Sequence, residues 1–237
     1  MRIYIPWLSN KISKFKKESK TFLNPKNIDN SLEILEIVIN VLNNHNIKYY
    51  LDFGTLLGAM RDNALIPWDD DIDITLFNEE DYHKIHYILR DIRKAKLKAW
   101  TVSFYRSILN RKLKIKKDSS ISIFVDKIEF TDPFNPRIAV INNRNCFKKS
   151  KSGKNNLDIF FKYKNNNSLF WMVENRIHSM PSDILGTELI EIDFYNLKCN
   201  IPKNYDEYLT YIYGDWKTPK KDWQYYENET CTKENKS

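Results

Sequence analysis

Trp68-Asp69-Asp70-Asp71-Ile72-Asp73-Ile74 is the stretch from which the rest of the chain is read. Carboxylates packed this closely raise one another's pKa, so a compensating cation or arginine is expected beside them. The residues also alternate: Ile72, Ile74 and Leu76 point one way, and Asp71, Asp73 and Thr75 the other. That pattern predicts a strand over 71–77 with an apolar back and an acidic front. Two aspartates spaced by two on one face suit a shared hard divalent cation, Mg²⁺ or Mn²⁺, bound through oxygen. An acidic loop wholly in water is the plain alternative, but Pro67-Trp68 ahead and the two isoleucines within place these residues at the edge of a core.

A cation on two aspartates needs a third oxygen ligand. Asp158, set among apolar residues in Leu157-Asp158-Ile159-Phe160, is the best candidate, and Asp126 in Phe124-Val125-Asp126-Lys127 is a weaker rival. Upstream, Asp52-Phe53-Gly54-Thr55-Leu56-Leu57-Gly58 reads as a strand end, a glycine turn and a helix start. Backbone N–H groups at Gly54 and the Thr55 hydroxyl would cradle a phosphate there, with Arg61 neutralising its charge.

Working outward, Leu32, Leu35, Val38, Ile39 and Leu42 recur at helical spacing, with Asp29 or Ser31 as cap and Asn43, Asn44 and Asn46 as the stop. Residues 47–52 read as a strand and 56–61 as a short helix. An amphipathic helix follows over 79–96, then strands at 99–106 and 121–130. The stretch 131–155 is polar and reads as a long loop or insertion. A strand is expected over 157–163, helical character around 169–178, and two short strands on either side of Tyr195-Asn196. The last helix, Tyr205 to Tyr213, is stopped by Gly214. The fold class is α/β (α+β): a mixed sheet flanked by helices, with a small C-terminal helical and hairpin lobe. The chain divides into a basic segment over 1–28, one domain over 29–225 and a disordered tail over 226–237.

Composition narrows the functional classes. Lys and Arg number 38 against 31 Asp and Glu, for a net charge of +7, but the basic runs Lys14 to Lys20, Arg111 to Lys117 and Lys148 to Lys154 are scattered among polar residues. No basic stripe interleaved with aromatics is present, so nucleic acid is not expected as a partner. Cys146, Cys199 and Cys231 lie far apart and form no zinc or disulfide pattern, which fits a reducing, cytoplasmic setting. No stretch reaches the roughly 18 apolar residues that span a bilayer, and no signal peptide is read. Ile5, Leu8, Ile12 and Phe15 beside several lysines form either a docking helix or a peripheral membrane contact. His83 and His86 lack zinc-helix spacing, and His178 reads as structural. Trp171, Trp216 and Trp223 read as core or pocket wall.

Gly54-Thr55-Leu56-Leu57-Gly58-Ala59-Met60-Arg61 followed by Ile66-Pro67-Trp68-Asp69-Asp70-Asp71-Ile72-Asp73-Ile74 resembles the signature of the LicD family, which includes bacterial phosphocholine transferases and is related to fukutin and fukutin-related protein. Ile201-Pro202-Lys203-Asn204-Tyr205-Asp206-Glu207-Tyr208-Leu209 and Tyr213-Gly214-Asp215-Trp216 resemble its closing segment. The resemblance implies a nucleotidyltransferase-type fold and carries metal-ligand roles onto Asp71, Asp73 and Asp158. It also implies transfer of a phosphoalcohol group, phosphocholine or ribitol phosphate, from a CDP-linked donor to a hydroxyl of a cell-surface glycan. Asp70, Asp69 or Asp158 would serve as base. Ala64 stands where the family often has glycine, and Phe161 where it often has proline. A nucleotidyltransferase acting on a small acceptor, and an inactive glycan- or partner-binding relative, stay open as alternatives.

Overall fold

The computed structural model describes residues 21–102, 123–125, 128–130, 137–142, 157–173, 176–223 and 232–233. Asp126, Cys146, Cys231, the three basic runs and the N-terminal amphipathic stretch lie outside them.

The chain enters helix α1 (Pro25–Asn44) earlier than the Asp29 or Ser31 cap predicts. Asn24 is the cap, its side chain accepting the Lys26 N–H at 3.1 Å, and Pro25 suits the first turn because it has no N–H to satisfy. Ile34, Leu35, Val38 and Leu42 on its inner face are fully buried. Asn46, at φ 53°, turns the chain into β1 (Tyr49–Leu51), a tolerated left-handed position for asparagine. Helix α2 (Phe53–Asp62) begins three residues ahead of the expected Leu56, because the Asp52 carboxylate caps the Phe53 N–H at 2.8 Å. Strand β2 (Ile72–Leu76) carries the alternating run, with Ile72, Ile74 and Leu76 buried.

The helix expected over 79–96 is a 3₁₀ segment (Glu79–Lys84) running into α3 (Ile85–Lys94). Asp81 is buried and ion-paired with Lys84 at 2.8 Å, which fastens the tighter first part. Strand β3 covers Leu97–Val102, and the single strand expected at 121–130 is two, β4 (Ile123–Val125) paired antiparallel with β5 (Ile128–Phe130). Residues 137–142, expected within a polar loop, form β6 (Arg137–Asn142), an inner strand of the main sheet. Strand β7 (Leu157–Phe160) completes that sheet in the order β1-β2-β7-β6-β3. Only the β2–β7 pair is parallel among its pairings, and it sets Asp73 opposite Asp158.

The helix expected around 169–178 is instead a hairpin. Strands β8 (Tyr163–Asn165), β9 (Ser168–Val173) and β10 (Arg176–Pro181) make a meander. Phe170, Trp171 and Val173 favour a pleated, half-buried surface, and pairing on both sides of β9 settles the outcome. A short helix, α4 (Ser182–Leu185), leads to the hairpin β11 (Leu189–Phe194) and β12 (Leu197–Pro202), which turns at Tyr195-Asn196 as expected. Helix α5 (Tyr205–Tyr213) ends at Gly214, whose φ of 69° supplies the left-handed stop. Within the tail, Thr232–Lys233 forms β13 against β10.

The hairpin and α5 are seated on the main sheet. The Tyr49 hydroxyl reaches the Lys198 carbonyl at 3.4 Å, and the Tyr208 hydroxyl donates to Asp52. The architecture is therefore a mixed α/β fold with helices flanking the principal sheet. Among the described residues no helix is long and apolar enough to cross a membrane.

Candidate active site

The carboxyl end of β1, the start of α2 and the leading end of β2 meet at one cleft of about 600 Å³. Asp69, Asp70, Asp71, Asp73 and Asp158 line it together with Gly54 and Arg61. Asp71 lies at the bend just before β2, and Asp73 inside the strand. The carboxylates of Asp71, Asp73 and Asp158 offer oxygens within 4.8 Å of one another, and so do those of Asp69, Asp70 and Asp71. Asp158 is 1 % exposed, whereas Asp69 to Asp71 and Asp73 are half-buried. Asp158, 85 positions beyond Asp73 in the chain, joins Asp71 and Asp73 because β2 and β7 are neighbours in register.

Burial first, then the nearby charges of Asp71, Asp158, Asp69 and Asp52, push the Asp73 carboxyl well above the ordinary carboxylate range. Such a site favours a proton or a cation. Ligand oxygens around an octahedral Mg²⁺ lie about 2.9 to 4.2 Å apart for bonds of about 2.1 Å. The Asp71, Asp73 and Asp158 oxygens, within 4.8 Å of one another, lie near that span, and an all-oxygen anionic donor set is what a hard cation takes.

The cap and first turn of α2 hold the acidic strand, so Gly54 and Thr55 are helical rather than the glycine turn expected before residue 56. The Asp52 N–H donates to the Asp73 carbonyl at 3.0 Å, and the Asp73 N–H donates to Thr55 Oγ1 at 2.9 Å. Thr55 is buried, so its hydroxyl oxygen fixes the strand rather than standing open as a phosphate cradle. Gly54 is needed for another reason: a Cβ there would sit 2.3 Å from Asp69 Oδ2, so the Asp69 carboxylate lies across the glycine. Its other oxygen accepts the Asp70 N–H at 2.9 Å. The Arg61 guanidinium is mostly buried in the cleft wall and forms a two-bond pair with Asp62, at 3.0 and 2.7 Å.

Phe53 is held at φ 43°, a left-handed conformation that costs an L-residue about 1 kcal/mol. Its ring packs edge-on against Phe160 at 5.0 Å and lies 6.3 Å from Trp171. Trp171 in turn stacks on His178 at 5.6 Å, and all four rings line the cleft. Trp68, Trp216 and Trp223 extend the aromatic wall, with Tyr213 against Trp223 at 4.4 Å. Burial, then the charges of Asp73, Asp69 and Asp52, raise the Tyr213 phenol well above its usual value, so it remains a neutral hydrogen-bonding group. Lys220 and Lys221 stand exposed on the rim.

Behind the wall lies a feature the sequence reading passed over. Asp52, wholly buried, accepts from Phe53 N–H, the Thr75 and Tyr208 hydroxyls and Lys162 Nζ. A lone lysine in Phe160-Phe161-Lys162-Tyr163 was the available signal, because a charge inside an aromatic run needs a buried partner.

The family model of the LicD/FKTN/FKRP nucleotidyltransferase domain matches residues 46–143. An uncharacterized protein of Rickettsia prowazekii is 33 % identical over 93 residues, 39 % of this chain and 32 % of that one. The lipopolysaccharide cholinephosphotransferase LicD of Haemophilus influenzae is 43 % identical over 49 residues, 21 % of this chain and 18 % of that one. The human ribitol 5-phosphate transferase FKRP is 40 % identical over 48 residues, 20 % of this chain and 10 % of that one. The matched stretches thus span a third or less of these relatives' own length. Residues 46–143, which carry Gly54-Thr55 and the acidic strand, are thus similar to the LicD/FKTN/FKRP nucleotidyltransferase domain.

Proposed function

We propose that the cleft transfers a phosphoalcohol group from a CDP-linked donor to a hydroxyl of a glycan. The observation that carries this reading is the convergence of the Asp71, Asp73 and Asp158 carboxylates, from two neighbouring strands, in a cleft also lined by Arg61 and aromatic rings. The named relatives support it, one a cholinephosphotransferase and one a ribitol 5-phosphate transferase. Asp71, Asp73 and Asp158 would hold Mg²⁺ or Mn²⁺. When bound, such a cation neutralises the donor diphosphate and the charge that builds on the leaving group.

The protein's own groups divide the remaining work. Arg61, Lys220 and Lys221 draw the anionic donor into the cleft. Asp70 is the carboxylate best placed to take the acceptor proton. Asp158 is too buried, and Asp69 is fixed by its bond to the Asp70 N–H and its seat over Gly54. As the acceptor oxygen forms its bond to phosphorus, its proton passes to Asp70. The bond from phosphorus to the CMP oxygen breaks, and CMP departs with the electron pair. Trp68, Trp216 and Trp223 give the cleft aromatic surface of the kind that attracts a quaternary ammonium, which favours choline as the donor alcohol.

Thermal-shift titration with CDP-choline, CDP-ribitol and CDP-glycerol, each with and without Mg²⁺ or Mn²⁺, tests the reading. Cation-dependent stabilisation by one conjugate, lost in Asp71→Asn, is the expected outcome. Stabilisation by none of them, with the cation still bound, overturns the donor assignment. The family description also favours a second reading, transfer of a nucleoside monophosphate to a small acceptor. Product analysis separates the two, since the nucleotide would then remain on the acceptor.

A further inference from the structure

Lys162 is 4 % exposed and lies two residues beyond the end of β7. Its Nζ forms an ion pair with Asp52 at 2.7 Å and donates to the Tyr208 hydroxyl, which itself donates to Asp52. The rings of Phe53, Tyr208, Trp171 and Tyr50 surround the ammonium at 4.7, 4.7, 4.9 and 5.4 Å. Two of these rings, Phe53 and Trp171, also form the cleft wall, so the lysine supports that wall from behind.

The connections run straight to the acids. Asp52 is bonded through its main chain to the Asp73 carbonyl, and through its side chain to the Phe53 N–H and the Thr75 hydroxyl. Thr55, one turn along, receives the Asp73 N–H. Lys162 continues the chain that bears Asp158, the residue opposite Asp73 in the β2–β7 pair. One ion pair therefore joins the end of the strand carrying Asp158 to the turn that holds both sides of the Asp73 peptide.

The geometry points to Lys162 as a positioning residue that, through Asp52, sets the spacing of the Asp73 and Asp158 carboxylates. This rests on the reading that those carboxylates hold a cation. Lys162 is not among the residues that line the cleft. Its charge offsets that of Asp52, which would otherwise add to the negative field at Asp73. Its bonds fix the turn and strand that orient the ligands, as outer partners of metal ligands commonly do.

The test uses the full chain with both charges removed, Lys162→Met together with Asp52→Asn, and separately Tyr208→Phe, which deletes only the bridging hydroxyl. Mn²⁺ affinity is titrated without any nucleotide, and hydrogen exchange is followed at the Asp73 amide. The expected result for the double variant is Mn²⁺ affinity weaker by about tenfold or more and faster exchange at Asp73. Tyr208→Phe is expected to show a smaller loss of the same kind. A lower melting temperature with wild-type Mn²⁺ affinity and unchanged Asp73 exchange would mean a purely structural pair and overturn the proposal. If the wild-type protein takes up no Mn²⁺, the functional reading fails. Asp73 exchange then decides this inference, faster exchange in the variants sustaining it and unchanged exchange ending it.

Discussion

Gly54 carries no side chain because the Asp69 carboxylate fills the space where one would begin. Helix propensity alone favours alanine at this position by about 1 kcal/mol. Gly54→Ala is therefore expected to leave the melting temperature nearly unchanged while displacing Asp69 and lowering turnover by about tenfold or more. A joint measurement of melting and initial rate checks it, and an unimpaired rate would remove Asp69 from the site. Asp73 presents the opposite balance, a carboxyl that burial and four neighbouring acids make costly to ionise. Asp73→Asn should reduce turnover by about 10³-fold. The same change should raise the stability of the metal-free protein by about 1 kcal/mol, read by chemical denaturation, since it relieves like-charge repulsion. Both residues lie within the segment that the sequence reading singled out. Asp52 was also singled out, but not its pairing with Lys162, because the aromatic run around the lysine signals a buried partner without saying which one, 110 positions away in the chain.

At the scale of elements, the turn into α2 and strand β2 hold each other through Thr55 and Asp73. Thr55→Val keeps the shape but removes the acceptor for a part-buried N–H, which costs about 1 to 3 kcal/mol. Thr55→Ser keeps the oxygen and should recover most of that loss. Equal stabilities for the two variants would show that the bond contributes little. Elements with strong local signals matched expectation: α5 with its glycine stop, the β11–β12 hairpin and the alternating β2. Elements whose identity depends on partners did not. Ser168–Val173 and Arg176–Pro181 form strands because β8 and β10 flank β9 with matching register, and Arg137–Asn142 is a strand because β3 and β7 pair with it. Neither set of partners is visible from composition or periodicity.

For the whole molecule, the acid cluster makes stability depend on pH and cation together. A carboxyl whose folded value is raised contributes stability that is fully present below the unfolded value and is lost as pH rises through the folded one. The metal-free protein should therefore melt higher at about pH 5 than at about pH 8 as far as Asp73 is concerned, and Asp73→Asn should flatten that slope. Saturating Mg²⁺ should stabilise most at the higher pH, because it binds the ionised form. A cation effect that is constant across this range would place Mg²⁺ elsewhere. The acidic strand and the family resemblance were legible in the chain alone, since each is written in a short run whose spacing fixes geometry locally. That Asp158 joins Asp71 and Asp73, that Thr55 grips the strand, and that Lys162 lies behind the cleft wall came from the folded arrangement. Those facts depend on which strands become neighbours, and strand pairing is set by packing across the whole chain rather than by any one stretch of it.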